Sequence, residues 1–297
     1  MWFRPSWSTA PSPASLADPP LRAPPEWAEA AEHICRHAPA RVLAIGARDA
    51  GKSTFCRFLY DAAAQLGCRS ALLDTDVGQK TVGPPACVTL QDRHGIGLAF
   101  VGTTNPVLGW KRLVEGTRRL AREADTDLLI VNTSGLLAGP GRRLKAAKID
   151  AVRPTLLIAL GDSPALQAIL NDHPGWQALR LPLSPEARRK TDGERRAARR
   201  EAFRAYFAQA SVLTLDRRML SKERDAVLPP RLLVGLADSC GNETGLGLLI
   251  GRLDSPTIEI LSPVAPDGIG RITAGSLCLD QNFSEAAAQG TSGCGMG

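Results

Sequence analysis

Several features are missing from this sequence, and each absence narrows its reading. No apolar run approaches the roughly 18 residues of a membrane span, and the first residues lack the basic-then-apolar order of a secretory signal. Seven cysteines (35, 56, 68, 87, 240, 278 and 294) include no C-x-x-C pair. An odd, scattered set of this kind reads as reduced and intracellular rather than as a disulfide framework. His33 and His37 are i and i+4 neighbours with no third ligand in sight, so they read as an ordinary helix face. There is no N-K-x-D guanine motif and no internal repeat. A cytoplasmic protein without membrane association is the expectation. The formal charge of +6 permits a polyanionic partner without requiring one.

What is present centres on Gly46-Ala47-Arg48-Asp49-Ala50-Gly51-Lys52-Ser53-Thr54. The apolar run 41–45 precedes it. Phe55, Phe58, Leu59, Ala62, Ala63 and Leu66 follow at the three- and four-residue spacing of one helix face. Strand, glycine-bounded loop and helix is the setting in which G-x-x-x-x-G-K-[ST] cradles phosphates. Its glycines admit inward-turned N–H groups, and the helix start adds more. Lys52 is then expected to reach the β- and γ-phosphates of a nucleoside triphosphate, and Ser53 to offer its hydroxyl to Mg²⁺.

Short apolar runs at 41–45, 71–73, 97–102, 128–131 and 156–160 alternate with helical patterns. Near-continuous apolarity over about five residues is typical of parallel strands covered on both faces. The implied fold is α/β, a doubly wound, mainly parallel sheet of the P-loop NTPase type. Residues 1–25 are proline-rich and read as a disordered tail. The P-loop domain is assigned to 26–224, with an arginine-rich lid at about 186–209. Strand-like runs at 231–236, 246–252, 257–261 and 271–279, punctuated by turn residues, predict a small antiparallel β domain over 225–283. Residues 284–297 read as a second disordered tail.

Ligands in such sheets sit beyond the carboxyl ends of the strands. Asp74 and Asp76 follow the second run, two apart on an extended segment and hence on one face. The run at 128–131 ends in Asn132, a neutral amide unsuited to anchoring a metal or accepting a proton. The acid role therefore falls to Asp76, as metal ligand and base. Asp74 is either a second catalytic acid or a strand-end carboxylate satisfied by backbone N–H groups. Gln79 either orients a ligand or serves a turn. Thr103 and Thr104 either meet the substrate or cap a helix beginning near Val107. Gln79, Thr103, Thr104 and Asn132 form the expected substrate-binding set.

Arg188, Arg189, Lys190, Arg195, Arg196, Arg199, Arg200 and Arg204 crowd one segment that contains three acids. A helix from about Glu194 would put Arg195 and Arg199 on one face and Arg196 and Arg200 on another, anchored by Phe203, Tyr206 and Phe207. A solvated charged face is the common fate of such runs. The excess of one sign favours instead a lid facing phosphate.

Together, 46–54, the stretch Asp74-Thr75-Asp76-Val77-Gly78-Gln79 with Gly83-Pro84-Pro85, the stretch 100–106, and Val131-Asn132-Thr133-Ser134-Gly135 resemble the polynucleotide 5′-hydroxyl kinase family, the Clp1-like group and its shorter prokaryotic relatives. The resemblance spans roughly 40–280. It implies transfer of the γ-phosphoryl of ATP or GTP, with Mg²⁺, to the 5′-hydroxyl end of a nucleic acid, RNA being favoured. It makes Lys52 and Ser53 phosphate and metal contacts, Asp76 the metal-associated acid and base, and Arg195 and Arg199 the catalytic lid arginines. The sequence departs from the eukaryotic pattern in three places. Residues 1–39 show no amino-terminal β domain, Gly109 and Trp110 stand where the family's clasp continues, and Leu136 replaces a base-stacking tryptophan. A regulatory NTPase, or an ATP-binding subunit that has lost catalysis, is the alternative.

Overall fold

A computed structural model describes residues 23–221, 228–250 and 256–286. The proline-rich stretch 1–22 and residues 287–297 lie outside the described residues, so the expected tails concern mostly positions not covered here.

Helix α1 (Pro25–Arg36) leads into β1 (Ala40–Gly46), α2 (Lys52–Gln65) and β2 (Ser70–Asp74). Then come the hairpin β3 (Cys87–Asp92) and β4 (Gly95–Phe100), α3 (Trp110–Glu123), β5 (Leu128–Asn132), α4 (Pro140–Val152), β6 (Leu156–Leu160), α5 (Pro164–Asp172) and β7 (Ala178–Leu181). These strands form one sheet in the order β4-β3-β2-β5-β1-β6-β7, and β2, β5, β1, β6 and β7 pair in parallel. The α/β, mainly parallel architecture is therefore as the sequence implies. The run at 97–102 is different: β4 pairs antiparallel with β3 at the end of the sheet and, among the described residues, has no parallel neighbour. Burial on both sides arises there without a crossover, because helix α3 covers the face of Ala99 and Val101 and the second sheet covers that of Leu98 and Phe100.

Alternation explains the two-sided burial. Leu43, Ile45, Leu129 and Val131 enter one core with residues of α3, α4 and α5. Val42, Ala44, Leu128 and Ile130 enter another, with Trp27 of α1 and Phe55 and Leu59 of α2. A pleated strand sends successive side chains to opposite faces, so a strand buried on both must be apolar throughout.

Helix α6 (Asp192–Tyr206) carries the arginine-rich segment. It begins two residues before the expected Glu194, because Thr191 and Glu194 form a reciprocal capping box. Its apolar end behaves as predicted: Phe203 and Phe207 are buried, and the Tyr206 hydroxyl accepts from Leu246 N at 2.7 Å.

The second sheet is antiparallel and has six strands: β8 (Ser211–Asp216), β9 (Leu232–Ala237), β10 (Glu243–Leu249), β11 (Thr257–Ser262), β12 (Arg271–Leu279) and β13 (Glu285–Ala286), in the order β13-β12-β9-β10-β11-β8. Strand β8 precedes residue 225 and still belongs to this sheet. Strand β13 lies past residue 283, where a tail was expected. The sheet is packed directly on the first: Phe100, Leu98, Phe203, Leu233, Leu246 and Leu279 share one cluster. Gly235 is required there, since a Cβ would stand 2.5 Å from the Phe100 ring. Glu243 accepts from Phe100 N at 2.8 Å and pairs with Arg119, fastening the outer edge of β4 to the second sheet.

Candidate active site

The phosphate loop joins β1 to α2. Asp49 (φ 62°) and Gly51 (φ 78°) adopt left-handed backbone conformations, which turn the chain sharply before the helix starts. Gly46 backs onto β6, where a Cβ would lie 2.8 Å from the Leu160 carbonyl oxygen. Gly135, in the loop after β5, touches the phosphate loop itself: a Cβ there would come within 2.4 Å of Arg48 Cα. Lys52 is buried and donates from Nζ to the Ala47 carbonyl at 2.6 Å. Burial draws its pKa below the usual lysine value, against the opposing pull of Asp76 and Asp49. Ala50 is buried, Arg48 reaches out to Asp192 at 3.8 Å, and Ser53 and Thr54 face the same cavity as Lys52.

That cavity, of about 260 Å³, gathers Lys52, Ser53, Thr54, Asp76, Gln79 and Arg195 with the loop residues Asp49, Gly51 and Gly135. The strand-end acids divide. Asp74 is fully buried: Oδ1 accepts from Asp76 N (3.1 Å) and Asn132 Nδ2 (3.0 Å), Oδ2 accepts from Thr81 N (2.6 Å), and Lys80 Nζ stands 3.4 Å away. Its oxygens serve the scaffold, as the strand-end alternative anticipates. Asp76 opens onto the cavity. Gly78 N and Gln79 N both donate to Oδ1 at 3.0 Å, which leaves Oδ2 without a hydrogen-bond partner among the described residues.

Asn132, grouped from the sequence with substrate contacts, is fully buried and joins two other groups instead. Its amide donates to Ser53 Oγ at 3.1 Å and to Asp74 Oδ1 at 3.0 Å, and its own Oδ1 is buried without a partner. Gln79 donates to the Gly78 carbonyl and, at 3.3 Å, to the Arg195 carbonyl, tying the Asp76 turn to α6. Thr103 accepts from Asn105 N and is buried. Thr104 donates to Glu285 Oε1 at 2.7 Å. Neither threonine caps a helix: α3 starts at Trp110, and Asn105 Oδ1 accepts from Val107 N in the preceding turn. Trp110 is half-buried against the core.

On α6 the two arginine registers separate. Arg195 is buried and points to the phosphate loop, Nη2 lying 2.5 Å from Asp49 Oδ2. Its Nε is buried and makes no hydrogen bond, the Asp192 carboxylate standing 3.9 Å off. Arg199 is half-buried and lies not on the phosphate loop but on Glu285 of β13, with Nε to Oε1 at 2.8 Å and Nη2 to Oε2 at 2.7 Å. Arg196 and Arg200 face solvent.

Sequence reading missed three groups. Glu285 sits in a segment composition marks as a tail. Lys145 and Lys148 of α4 are both fully buried beneath the site. Lys145 Nζ donates to the Ser134 carbonyl at 2.6 Å, and Lys148 Nζ to the Thr75 carbonyl at 2.8 Å and its hydroxyl at 2.9 Å. Burial holds Lys145 well below the ordinary lysine range and Lys148 at about 8. Their i, i+3 spacing on an otherwise amphipathic helix was the available signal, and it is the spacing of any solvated pair.

Residues 46–209 match the family described as mRNA cleavage and polyadenylation factor CLP1 P-loop. This chain belongs to that family. A polyribonucleotide 5′-hydroxyl-kinase of Pyrococcus abyssi is 34% identical over 190 residues, 60% of this chain and 53% of that protein. The corresponding protein of Methanocaldococcus jannaschii is 26% identical over 83% of this chain and 89% of its own length. The chain thus spans about half the length of the Pyrococcus relatives it matches. Among solved structures, Clp1p in complex with Pcf11p superposes with a TM-score of 0.67 at 14% identity, over 85% of this chain and 78% of that one, a likeness of fold.

Proposed function

We propose that this chain is a Mg²⁺-dependent polynucleotide 5′-hydroxyl kinase of the cytoplasm that transfers the γ-phosphoryl group of ATP or GTP to a 5′-hydroxyl end, RNA being the favoured substrate. The observation that carries this reading is the convergence of Lys52, Ser53, Asp76 and Arg195 on one cavity at the carboxyl ends of β1 and β2. A hydrolytic switch needs the phosphate loop, but an open acid beside the terminal phosphate and a buried lid arginine suit a hydroxyl acceptor better. The names of the archaeal relatives support RNA as the acceptor.

The donor set fits Mg²⁺: a serine hydroxyl, a carboxylate oxygen without a hydrogen bond and a buried, unpartnered amide oxygen are all hard ligands or partners for a ligated water. Ser53 and Asp76 would hold the ion, with Asn132 orienting the Ser53 hydroxyl. When bound there, the ion would supply positive charge against the charge of the phosphates. Loop N–H groups cradle the triphosphate, and Lys52 exchanges the Ala47 carbonyl for phosphate oxygens. Asp76 takes the proton of the 5′-hydroxyl as its oxygen bonds to the γ-phosphorus and the β–γ bridging bond breaks. Arg195, held by Asp49, lines the same cavity and would offer its guanidinium charge to the equatorial oxygens of the transferring group. Positioning and charge supply the rate, with no covalent intermediate on the protein.

The test is incubation with γ-labelled ATP or GTP, Mg²⁺ and 5′-hydroxyl RNA or DNA. Label on the oligonucleotide is the expected result. Free phosphate alone would replace this reading with a regulatory NTPase, and bound nucleotide with neither product would replace it with a non-catalytic subunit.

A further inference from the structure

Glu285 stands at the meeting point of three elements that are far apart in sequence. Its Oε1 accepts from Thr104 Oγ1 (2.7 Å) in the loop after β4 and from Arg199 Nε (2.8 Å) on α6, and its Oε2 accepts from Arg199 Nη2 (2.7 Å). The paired carboxylate and guanidinium are shielded, with side chains 23% and 16% exposed. A two-point arginine–carboxylate contact of this kind fixes orientation as well as distance. The support behind it is the second sheet. Strand β13 pairs with β12 through Leu279 and Cys278. Strand β12 grips the same loop: Ser276 N donates to the Gly102 carbonyl at 2.9 Å, and a Cβ on Gly102 would stand 2.7 Å from Gly275 Cα.

Arg199 therefore has its charge offset and its guanidinium edge occupied one helical turn from Arg195, and it does not line the cavity that Lys52 and Arg195 share. We propose that Arg199 and Glu285 form a latch through which the second sheet holds the lid helix closed, so that both are positioning residues for Arg195 and neither touches the phosphates. This rests on the kinase reading for its rate effects and on geometry alone for the closure. The latch also accounts for Thr104. Its hydroxyl joins the loop after β4 to Glu285, so that loop and the lid are held to one point on the second sheet.

The test uses the full chain. Glu285→Gln and Arg199→Ala should each lower kcat by roughly ten- to a hundredfold, the size of an effect from about 1 Å of misplacement, with little change in KM for the nucleotide. The double variant should be no slower than the worse single one. The reversed pair, Arg199→Glu with Glu285→Arg, should recover most of the rate, which a phosphate-contacting arginine could not do. Wild-type kcat in Glu285→Gln alongside a large loss in Arg199→Ala would overturn the latch. Amide exchange over 192–206 gives a second readout that needs no catalysis. Opening should be at least several-fold faster in Glu285→Gln at unchanged exchange in β1 and β5, and unaltered lid protection would also overturn the proposal. Should the wild type transfer no label, the kinase reading fails, and the exchange arm still decides the latch.

Discussion

Asp49 Oδ2 and Arg195 Nη2 meet at 2.5 Å, joining the crest of the phosphate loop to the lid helix while both side chains are nearly shielded from water. Asp49 also accepts from Lys190 N at 3.2 Å, so one carboxylate holds helix α6 and the residues leading into it at two points. Arg195 is thereby fixed at the edge of the cavity it shares with Lys52. Its ordering cost falls on folding rather than on the reaction.

Arg195→Ala should lower kcat by about 10³–10⁵, the range for an arginine serving a transferring phosphoryl group, with a much smaller change in nucleotide affinity. Asp49→Ala should lower kcat less. Added to Arg195→Ala, it should cost little further. Steady-state rates of the two variants and their double give the cycle, and full additivity would separate the two residues.

Gly135→Ala should weaken nucleotide binding. A methyl group 2.4 Å from Arg48 Cα forces the loop after β5 and the phosphate loop apart. Overpacking of this kind costs about 1–3 kcal/mol, or roughly five- to 150-fold in Kd. Titration with a fluorescent ATP analogue measures it, and an unchanged Kd would mean that the loop yields freely.

Asp74→Ala should damage stability before chemistry. The buried carboxylate faces Lys80 at 3.4 Å and accepts from two backbone N–H groups at 2.6 and 3.1 Å. Removing one member of a buried pair costs about 3–5 kcal/mol. Urea denaturation should show this loss, and a variant as stable as wild type but inactive would move Asp74 back among the catalytic acids.

Lys148 gives stability a pH dependence of its own. Burial lowers its pKa from 10.5 to about 8. Between those values the unfolded chain binds the proton more tightly than the folded one, so stability rises as pH increases from 8 to 10.5: the cost of burying the charged ammonium is full and constant below 8 and is gone above 10.5. Over the full window the effect is roughly 3 kcal/mol. Lys148→Met should remove that rise, seen as a flatter curve of unfolding free energy against pH. Identical slopes in the two proteins would contradict it.

Where the sequence was legible, one local rule sufficed. The phosphate loop is a contiguous pattern, and β1, β2, β5 and β6 are apolar runs because they are covered on both faces. The antiparallel pairing of β4 was not readable, because a strand covered by a helix and a second sheet has the same composition as one in a parallel sheet. Arg195 and Arg199 are equivalent by helical spacing. Only the elements opposite them, Asp49 on one side and Glu285 on the other, distinguish their roles, and those contacts span 146 and 86 residues. Asn132 is similar: a neutral amide at a strand end becomes informative only when Ser53 and Asp74 are found on either side of it.

In the proposed reaction Asp76 and Lys52 act on the same terminal phosphate, and Asp76→Asn tests this most directly. Transfer to a 5′-hydroxyl oligonucleotide should fall by about 10²–10⁴, the usual contribution of a positioned acid or base, while the nucleotide still binds with near wild-type affinity. Transfer at the wild-type rate, or parallel loss of binding and transfer, would contradict it.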